Sequence, residues 1–121
     1  MKIFSIILVA IVAIEHIYIL YIEMFAWTSL GKKTFRSIPA DLFEKTKTFA
    51  ANQGLYNGFL SAGLIWSLCI QNGEWSKNVA MFFLICVIVA GIYGGVTVSR
   101  SIFIKQAIPA IIALIFVLLN F

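Results

Sequence analysis

A chain of 121 residues has room for one domain and no more. Hydrophobic residues make up 62% of it and charged residues only 12%, whereas soluble globular domains carry about 25% charged residues. Because a soluble protein of this size could not hide so much apolar surface, the composition excludes a soluble domain. The net charge of +4 does not indicate a nucleic-acid-binding protein, because the basic residues cluster in one loop instead of interleaving with aromatic residues along a face.

Four apolar runs predict four transmembrane helices, over about residues 3–27, 49–70, 78–98 and 104–121. Each run is near the ~20 residues that a helix needs to cross a bilayer. Membrane-spanning strands are excluded, because an open sheet cannot satisfy its backbone hydrogen bonds in lipid. The sequence therefore predicts an all-α fold, an integral membrane four-helix bundle that forms a single domain over residues 1–121.

The first loop, residues 28–48, is the longest and the most basic of the three. Residues 41–49 are amphipathic, with Pro39 before them and Asp41 in position to cap a helix. This pattern predicts a short interfacial helix in the first loop that runs into the second span.

The distribution of Lys and Arg predicts the orientation of the chain. The first loop and the third loop, residues 99–103, hold seven of these residues when Lys105 is included, whereas the N-terminus and the second loop, residues 71–77, hold only Lys2 and Lys77. Because cytoplasmic loops of membrane proteins are enriched in Lys and Arg, we expect a multi-pass protein of the cell membrane. Its first and third loops would be cytoplasmic and both termini would lie outside.

Polar residues of the predicted spans fall on one side of the bilayer. Glu15 and His16 lie at the middle of the first span, and Glu23 lies about 12 Å further toward the cytoplasm. The other polar residues on the cytoplasmic side are Asn52, Gln53, Tyr56, Asn57, Tyr93, Thr97, Arg100 and Gln106. The outer half is nearly bare of such groups, so the sequence predicts a polar cytoplasmic half and an apolar outer half.

Glu15 and His16 are candidates for function, because a carboxylate at mid-bilayer costs roughly 2.5–3.5 kcal/mol on insertion scales. His16 and Glu23 are seven residues apart and lie about 20° from the same helix face, whereas Glu15 points about 100° away from His16. One interpretation is a proton-exchanging or substrate-binding pair. The other is a structural hydrogen bond from each residue to a neighbouring helix.

Small residues recur at every fourth position on the second and third spans, which lets neighbouring helices approach closely. These two ridges consist of Gly54, Gly58, Ala62, Gly91, Gly95 and Ser99. A separate polar stripe, Gln53, Asn57 and Ser61, either forms interhelical hydrogen bonds or lines a ligand pocket.

No metal or cofactor is expected. Neither Glu15 nor Glu23 lies three or four residues from His16, the spacing with which one helix chelates a metal, and the chain has a single His. It contains no glycine-rich phosphate loop and no nucleophile elbow. Pro109 predicts a kink in the fourth span.

Several segments together resemble one protein family. They are residues 15–16, 23–27, 52–60, 90–94 and 106–110, of which the run Asn-Gln-Gly-Leu-Tyr-Asn-Gly that begins at Asn52 is the most specific. On these segments the chain resembles the small bacterial membrane proteins catalogued as domain of unknown function 1304, over nearly its whole length. The resemblance implies a four-helix membrane protein and supplies no activity or catalytic roles.

The leading functional hypothesis is a cytoplasm-facing intramembrane pocket that binds or transports a small apolar or amphipathic molecule. The predicted pocket has Glu15 and His16 as its floor, and Glu23, Gln53, Asn57, Tyr93 and Gln106 as its walls. Two alternatives remain open: a membrane enzyme that acts on a lipid with His16 and a Glu as acid and base, and a structural or partner-binding subunit. The expected partners are the lipid bilayer and the ligand, with no nucleic acid. A homodimer is an alternative to a monomer, because one bundle is small for an enclosed transport path.

Overall fold

The computed structural model of the chain describes residues 1–121 and contains helices without strands. In chain order, the helices are α1 (Ile3–Phe25), α2 (Leu30–Thr34), α3 (Leu42–Lys45), α4 (Lys47–Cys69), α5 (Gly73–Thr97), α6 (Arg100–Ile102), a π-helical turn (Phe103–Ala107) and α7 (Ile108–Leu119). The short helices α2 and α3 belong to the first loop, and α6, the π turn and α7 follow one another as the fourth long stretch. The predicted all-helical four-helix bundle is confirmed.

The four long stretches form a closed ring of neighbours. Helix α1 packs on α4 and α7, and α5 packs on α4, α7 and the π turn. Helices α1 and α5 therefore lie on one diagonal of the bundle, and α4 and α7 lie on the other.

Three of the four stretches are long and apolar enough to cross a membrane: Ile3–Phe25, Gly73–Thr97 and Arg100–Leu119. Helix α4 has a comparable length of 23 residues but is less apolar, because Asn52, Gln53 and Asn57 lie in its first half. Its contacts with α1 are the most extensive of any helix pair. Of its polar residues, Asn57 is bonded to α1, whereas Asn52 and Gln53 are exposed.

Some predicted boundaries are wrong. Helix α5 begins at Gly73 rather than near residue 78, because the Asn72 side chain accepts a hydrogen bond from the backbone N–H of Trp75 at 3.0 Å and caps the helix. Asp41 precedes α3 as predicted, but its side chain makes no capping hydrogen bond. The helix predicted in the second half of the first loop is α3, which is a single turn. Helix α2, in the first half of that loop, was not predicted.

The half of the bundle nearer the two chain termini, called the termini half, is tightly packed. Its core consists of buried aliphatic residues from all four stretches: Val9, Val12, Ala13, Leu64, Ala80, Leu84, Val87, Ala110, Ala113 and Val117. The backbone N–H of Ser5 donates to the carbonyl of Phe121 at 3.0 Å, and the Ser5 hydroxyl donates to the same oxygen. The opposite half, which carries the first loop and is called the loop half, contains the cavities described below.

The irregularity in the fourth stretch lies just before Pro109, which is the second residue of α7. Proline has no N–H to donate, and its ring clashes with the carbonyl four residues earlier in a regular helix. The chain widens into a π turn at this point, where the backbone N–H of Ile108 donates to the carbonyl of Phe103, five residues back. A kink was predicted at Pro109, and the irregularity observed beside it is a π turn in the loop half.

Candidate functional site

The first loop is packed against the bundle through Trp27. The Trp27 indole donates a hydrogen bond to the hydroxyl of Thr46 at 3.0 Å, and its ring lies 4.8 Å from the ring of Phe43 and 5.5 Å from that of Phe35. Phe43 is fully buried, in a cluster with Trp27 and Ile22. This aromatic cluster holds the basic residues of α2 and the following turn over the loop half.

Beneath the first loop lies a cavity of about 730 Å³, called the loop cavity. It is bounded by α1, by residues 33–37 of the first loop and by the segment from Ser99 to Gln106. Its charged lining residues are Glu15, Lys33, Arg36 and Lys105. The single ion pair of the protein joins Lys47 and Glu44 on the surface, so none of these four side chains is paired with another. The loop cavity therefore presents unpaired charge, mostly positive, within reach of the apolar side chains of α1.

A second cavity, of about 530 Å³, opens between α4 and α5 and is called the aromatic cavity. Its lining includes the rings of Phe35, Tyr56, Phe59 and Tyr93. Glu23 is its only charged lining residue. The Glu23 side chain is only 3% exposed, and its Oε1 accepts a hydrogen bond from Nδ2 of Asn57 at 2.5 Å.

The two cavities are adjacent. Four residues, Ile19, Phe35, Ile102 and Gln106, line both of them. A single layer of side chains therefore separates the loop cavity from the aromatic cavity, and Gln106 is the polar member of that layer.

The seven predicted site residues do not line one pocket. Glu15 lines the loop cavity, whereas Glu23, Gln53, Asn57 and Tyr93 line the aromatic cavity, and Gln106 lines both.

His16 is the one predicted site residue that lines no cavity. It is only 1% exposed, lies in the lining of neither cavity, and donates from Nδ1 to the backbone carbonyl of Val12 at 2.9 Å. The hydrogen bond runs back along its own helix, so in this structure the imidazole has the contacts of a core side chain.

The polar stripe of α4 serves two purposes. Asn57 donates to Glu23, and the Ser61 hydroxyl donates to the carbonyl of Ala13 at 2.7 Å. Both hydrogen bonds join α4 to α1, whereas Gln53 is exposed in the aromatic cavity. Interhelical bonding and cavity lining, predicted as alternatives for this stripe, therefore both occur: Ser61 only bonds, Gln53 only lines the cavity, and Asn57 does both.

Sequence reasoning did not select Lys33, Phe35 or Arg36 as cavity residues. They lie in the first loop, and no local pattern indicates that this loop folds back over α1. The aromatic residues at positions 27, 35 and 43 are the only signal of that folding, because spaced aromatic residues in a basic loop indicate a packed loop.

The chain matches a known protein family. The model of family DUF1304, described as a protein of unknown function, matches residues 10–118. The chain belongs to the DUF1304 family. The match includes every residue of the two cavities that was predicted from the sequence, from Glu15 to Gln106.

A relative of this DUF1304 chain is the uncharacterized protein YpaA of Lactococcus lactis subsp. lactis, which is 33% identical over 117 residues. The alignment covers 95% of this chain and 97% of YpaA. No solved structure matches the chain significantly.

Proposed function

We propose that this DUF1304 protein binds a small amphipathic molecule in the loop half of the bundle, within the cytoplasmic side of the membrane. The observation that supports this proposal is the contrast between the two halves. The termini half is filled by aliphatic side chains, whereas the loop half contains two adjoining cavities of about 730 and 530 Å³. Both volumes are in the range of roughly 300–1,000 Å³ that is typical of small-molecule sites.

The lining of the cavities supports an amphipathic ligand. Charged and amide groups converge on both cavities, and apolar residues such as Ile19 and Ile22 lie beside them. Charged residues inside a membrane bundle are costly and are functional candidates by default. The proposed binding residues are Glu15, Glu23, Gln53, Asn57, Tyr93 and Gln106, and proton-coupled transport is one use of such a site.

Binding is favoured over lipid-modifying catalysis by the placement of the acid and base candidates. A general acid and base must both reach the reacting atoms. Glu15 and Glu23 line different cavities, and His16 lines neither.

A partner-binding role for the glycine ridges is disfavoured, because the glycines of both ridges already contact other parts of the chain. A Cβ atom at Gly58 would lie 2.6 Å from Cδ1 of Leu20, and one at Gly91 would lie 2.8 Å from the Cβ of Ala107.

The orientation of the bundle is part of the proposal. Lys33 and Arg36 of the first loop and Lys105 near the third loop line one cavity, so basic residues of these two loops lie in the same half of the bundle. With the positive-inside rule, the loop half would be cytoplasmic.

The proposal is tested by filling the cavities. Protein in lipid nanodiscs is titrated calorimetrically with octyl compounds that carry a trimethylammonium, sulfonate or hydroxyl head. We expect saturable binding of at least one compound, weakened at least tenfold by Ala90→Phe in the aromatic cavity or by Ser37→Phe in the loop cavity. Ala62→Phe, at an exposed position of α4 outside both cavities, is the matched control. Binding that neither cavity-filling variant changes would contradict the proposal, as would no binding of any compound.

A further inference from the structure

The aromatic cavity is lined by one acidic side chain and by no basic one. That residue is Glu23, and the lining contains no Lys or Arg from any helix or loop, the fourth stretch included. The carboxyl group receives one hydrogen bond from a neutral amide, that of Asn57, and takes part in no ion pair. A buried carboxylate without a cationic partner is unfavourable in a membrane interior, so a bound cation would supply the missing partner.

The remaining lining is suited to an organic cation. Four aromatic rings border the cavity, those of Phe35, Tyr56, Phe59 and Tyr93, and the rings of Tyr56 and Phe59 lie edge to face with centroids 5.7 Å apart. Aromatic faces attract ammonium groups, and quaternary ammonium ligands are recognised by cages of such rings. A carboxyl group among aromatic rings is therefore the combination that favours an alkylammonium group over a small hydrated metal ion.

The cavity is open at the flank of the bundle. The side chains of Tyr56, Phe59 and Tyr93 are 60%, 54% and 71% exposed, respectively, although all three line the cavity. They lie on α4 and α5, so the opening between these helices faces the region that lipid occupies. An alkyl chain attached to the ammonium group can then remain among the lipid chains.

The adjoining loop cavity has the opposite charge character. Lys33, Arg36 and Lys105 line it together with a single carboxylate, Glu15. Because like charges repel and an unpaired charge disfavours the wrong ligand, the two cavities are expected to differ in the sign of the head group they accept.

We infer that the aromatic cavity binds the ammonium head of an amphipathic organic cation, with Glu23 as its counter-charge and the rings of Tyr56, Phe59 and Tyr93 around it. This inference rests on the proposed function and names the substrate class of one of its two cavities.

The test uses the octyl compounds introduced above and compares their head groups. Wild-type protein should bind octyltrimethylammonium at least tenfold more tightly than octanol. Glu23→Gln, which keeps an acceptor for Asn57, should remove that preference while leaving octanol affinity within twofold. Tyr93→Leu should lower the affinity for octyltrimethylammonium severalfold and the affinity for octanol by a smaller factor. Glu44→Gln removes the same charge from an exposed site in the same half and should preserve the preference.

Two outcomes separate the inference from the proposed function. If octanol binds as tightly as octyltrimethylammonium, or if Glu23→Gln keeps the preference for the cation over octanol, the inference is wrong while the binding function stands. If no octyl compound binds at all, both fail. Should Glu23→Gln fail to fold, the Tyr93→Leu comparison still decides whether the cation contacts the aromatic rings.

Discussion

At the scale of single residues, the hydrogen bond between Asn57 and Glu23 joins the two helices that pack most closely. The glycine beside it makes the approach possible, because a Cβ atom at Gly54 would lie 2.7 Å from Cγ of Met24 and 3.0 Å from Cβ of Glu23. Asn57 serves two roles, because it bonds α4 to α1 and also lines the aromatic cavity.

Asn57→Ala should lower the free energy of unfolding by roughly 1–2 kcal/mol, the range found for interhelical hydrogen bonds in model membrane peptides. The loss arises because the buried carboxyl group of Glu23 keeps no amide donor. Unfolding in mixed micelles measures the effect, and Asn52→Ala, at an exposed position five residues earlier on the same helix, is the control. Equal stability of the two variants would mean that the Asn57 amide contributes nothing to holding α4 on α1.

At the scale of elements, the π turn and helix α5 depend on each other. Pro109 causes the turn to widen, and Gly91 lets the turn lie directly on α5. A Cβ atom at Gly91 would be 2.8 Å from both the Cβ and the backbone N of Ala107. The same turn carries Lys105 and Gln106 into the cavities, so its position sets part of their lining.

Gly91→Ala should therefore destabilise the protein by roughly 1–3 kcal/mol, the usual cost of overpacking, because backbone atoms cannot move aside as a flexible side chain can. Gly73→Ala is the matched control: nothing lies within 4 Å of a Cβ atom at this position, and its φ is not positive. Replacing this glycine should leave stability unchanged or raise it by about 0.4–1 kcal/mol. Unfolding midpoints measured side by side test the pair, and a Gly91 variant as stable as the wild type would refute the close packing.

At the scale of the whole molecule, the division into a packed termini half and a hollow loop half is the feature on which function depends. The basic first loop is held over the hollow half by Trp27, Phe35 and Phe43. The buried serines of the packed half donate to backbone carbonyls; the Ser76 hydroxyl, for example, donates to the carbonyl of Ser67 at 2.7 Å. The core of the packed half is thus apolar, and the charged residues that line cavities lie in the other half.

The proposed orientation predicts which side chains a membrane-impermeant maleimide reaches in intact cells. In a background that lacks Cys69 and Cys86, Lys77→Cys should be labelled directly. Lys33→Cys should be labelled only after the membrane is permeabilised, because the positive-inside rule keeps the first loop in the cytoplasm. The reverse pattern would place the loop half outside the cell and overturn the orientation.

Much of the architecture could be predicted from the sequence because it follows from local patterns. Runs of about 20 apolar residues require helices in lipid, and the depth of Glu15, Glu23 and Asn57 along those helices places the polar groups in one half. Rotation about each helix axis is harder to predict, since it depends on which neighbours are present. Glu15 and His16 are adjacent in the chain, yet only Glu15 lines a cavity.

The sequence by itself therefore determined the all-helical class, the approximate spans and the one-sided polarity, because helix formation and hydropathy depend on residues close in the chain. Only the tertiary structure decided that the polar half contains two cavities instead of one, that His16 is a core residue, and that loop residues such as Lys33 and Phe35 line the site. These features depend on contacts between segments that are distant in the chain, and the local sequence pattern does not specify such contacts.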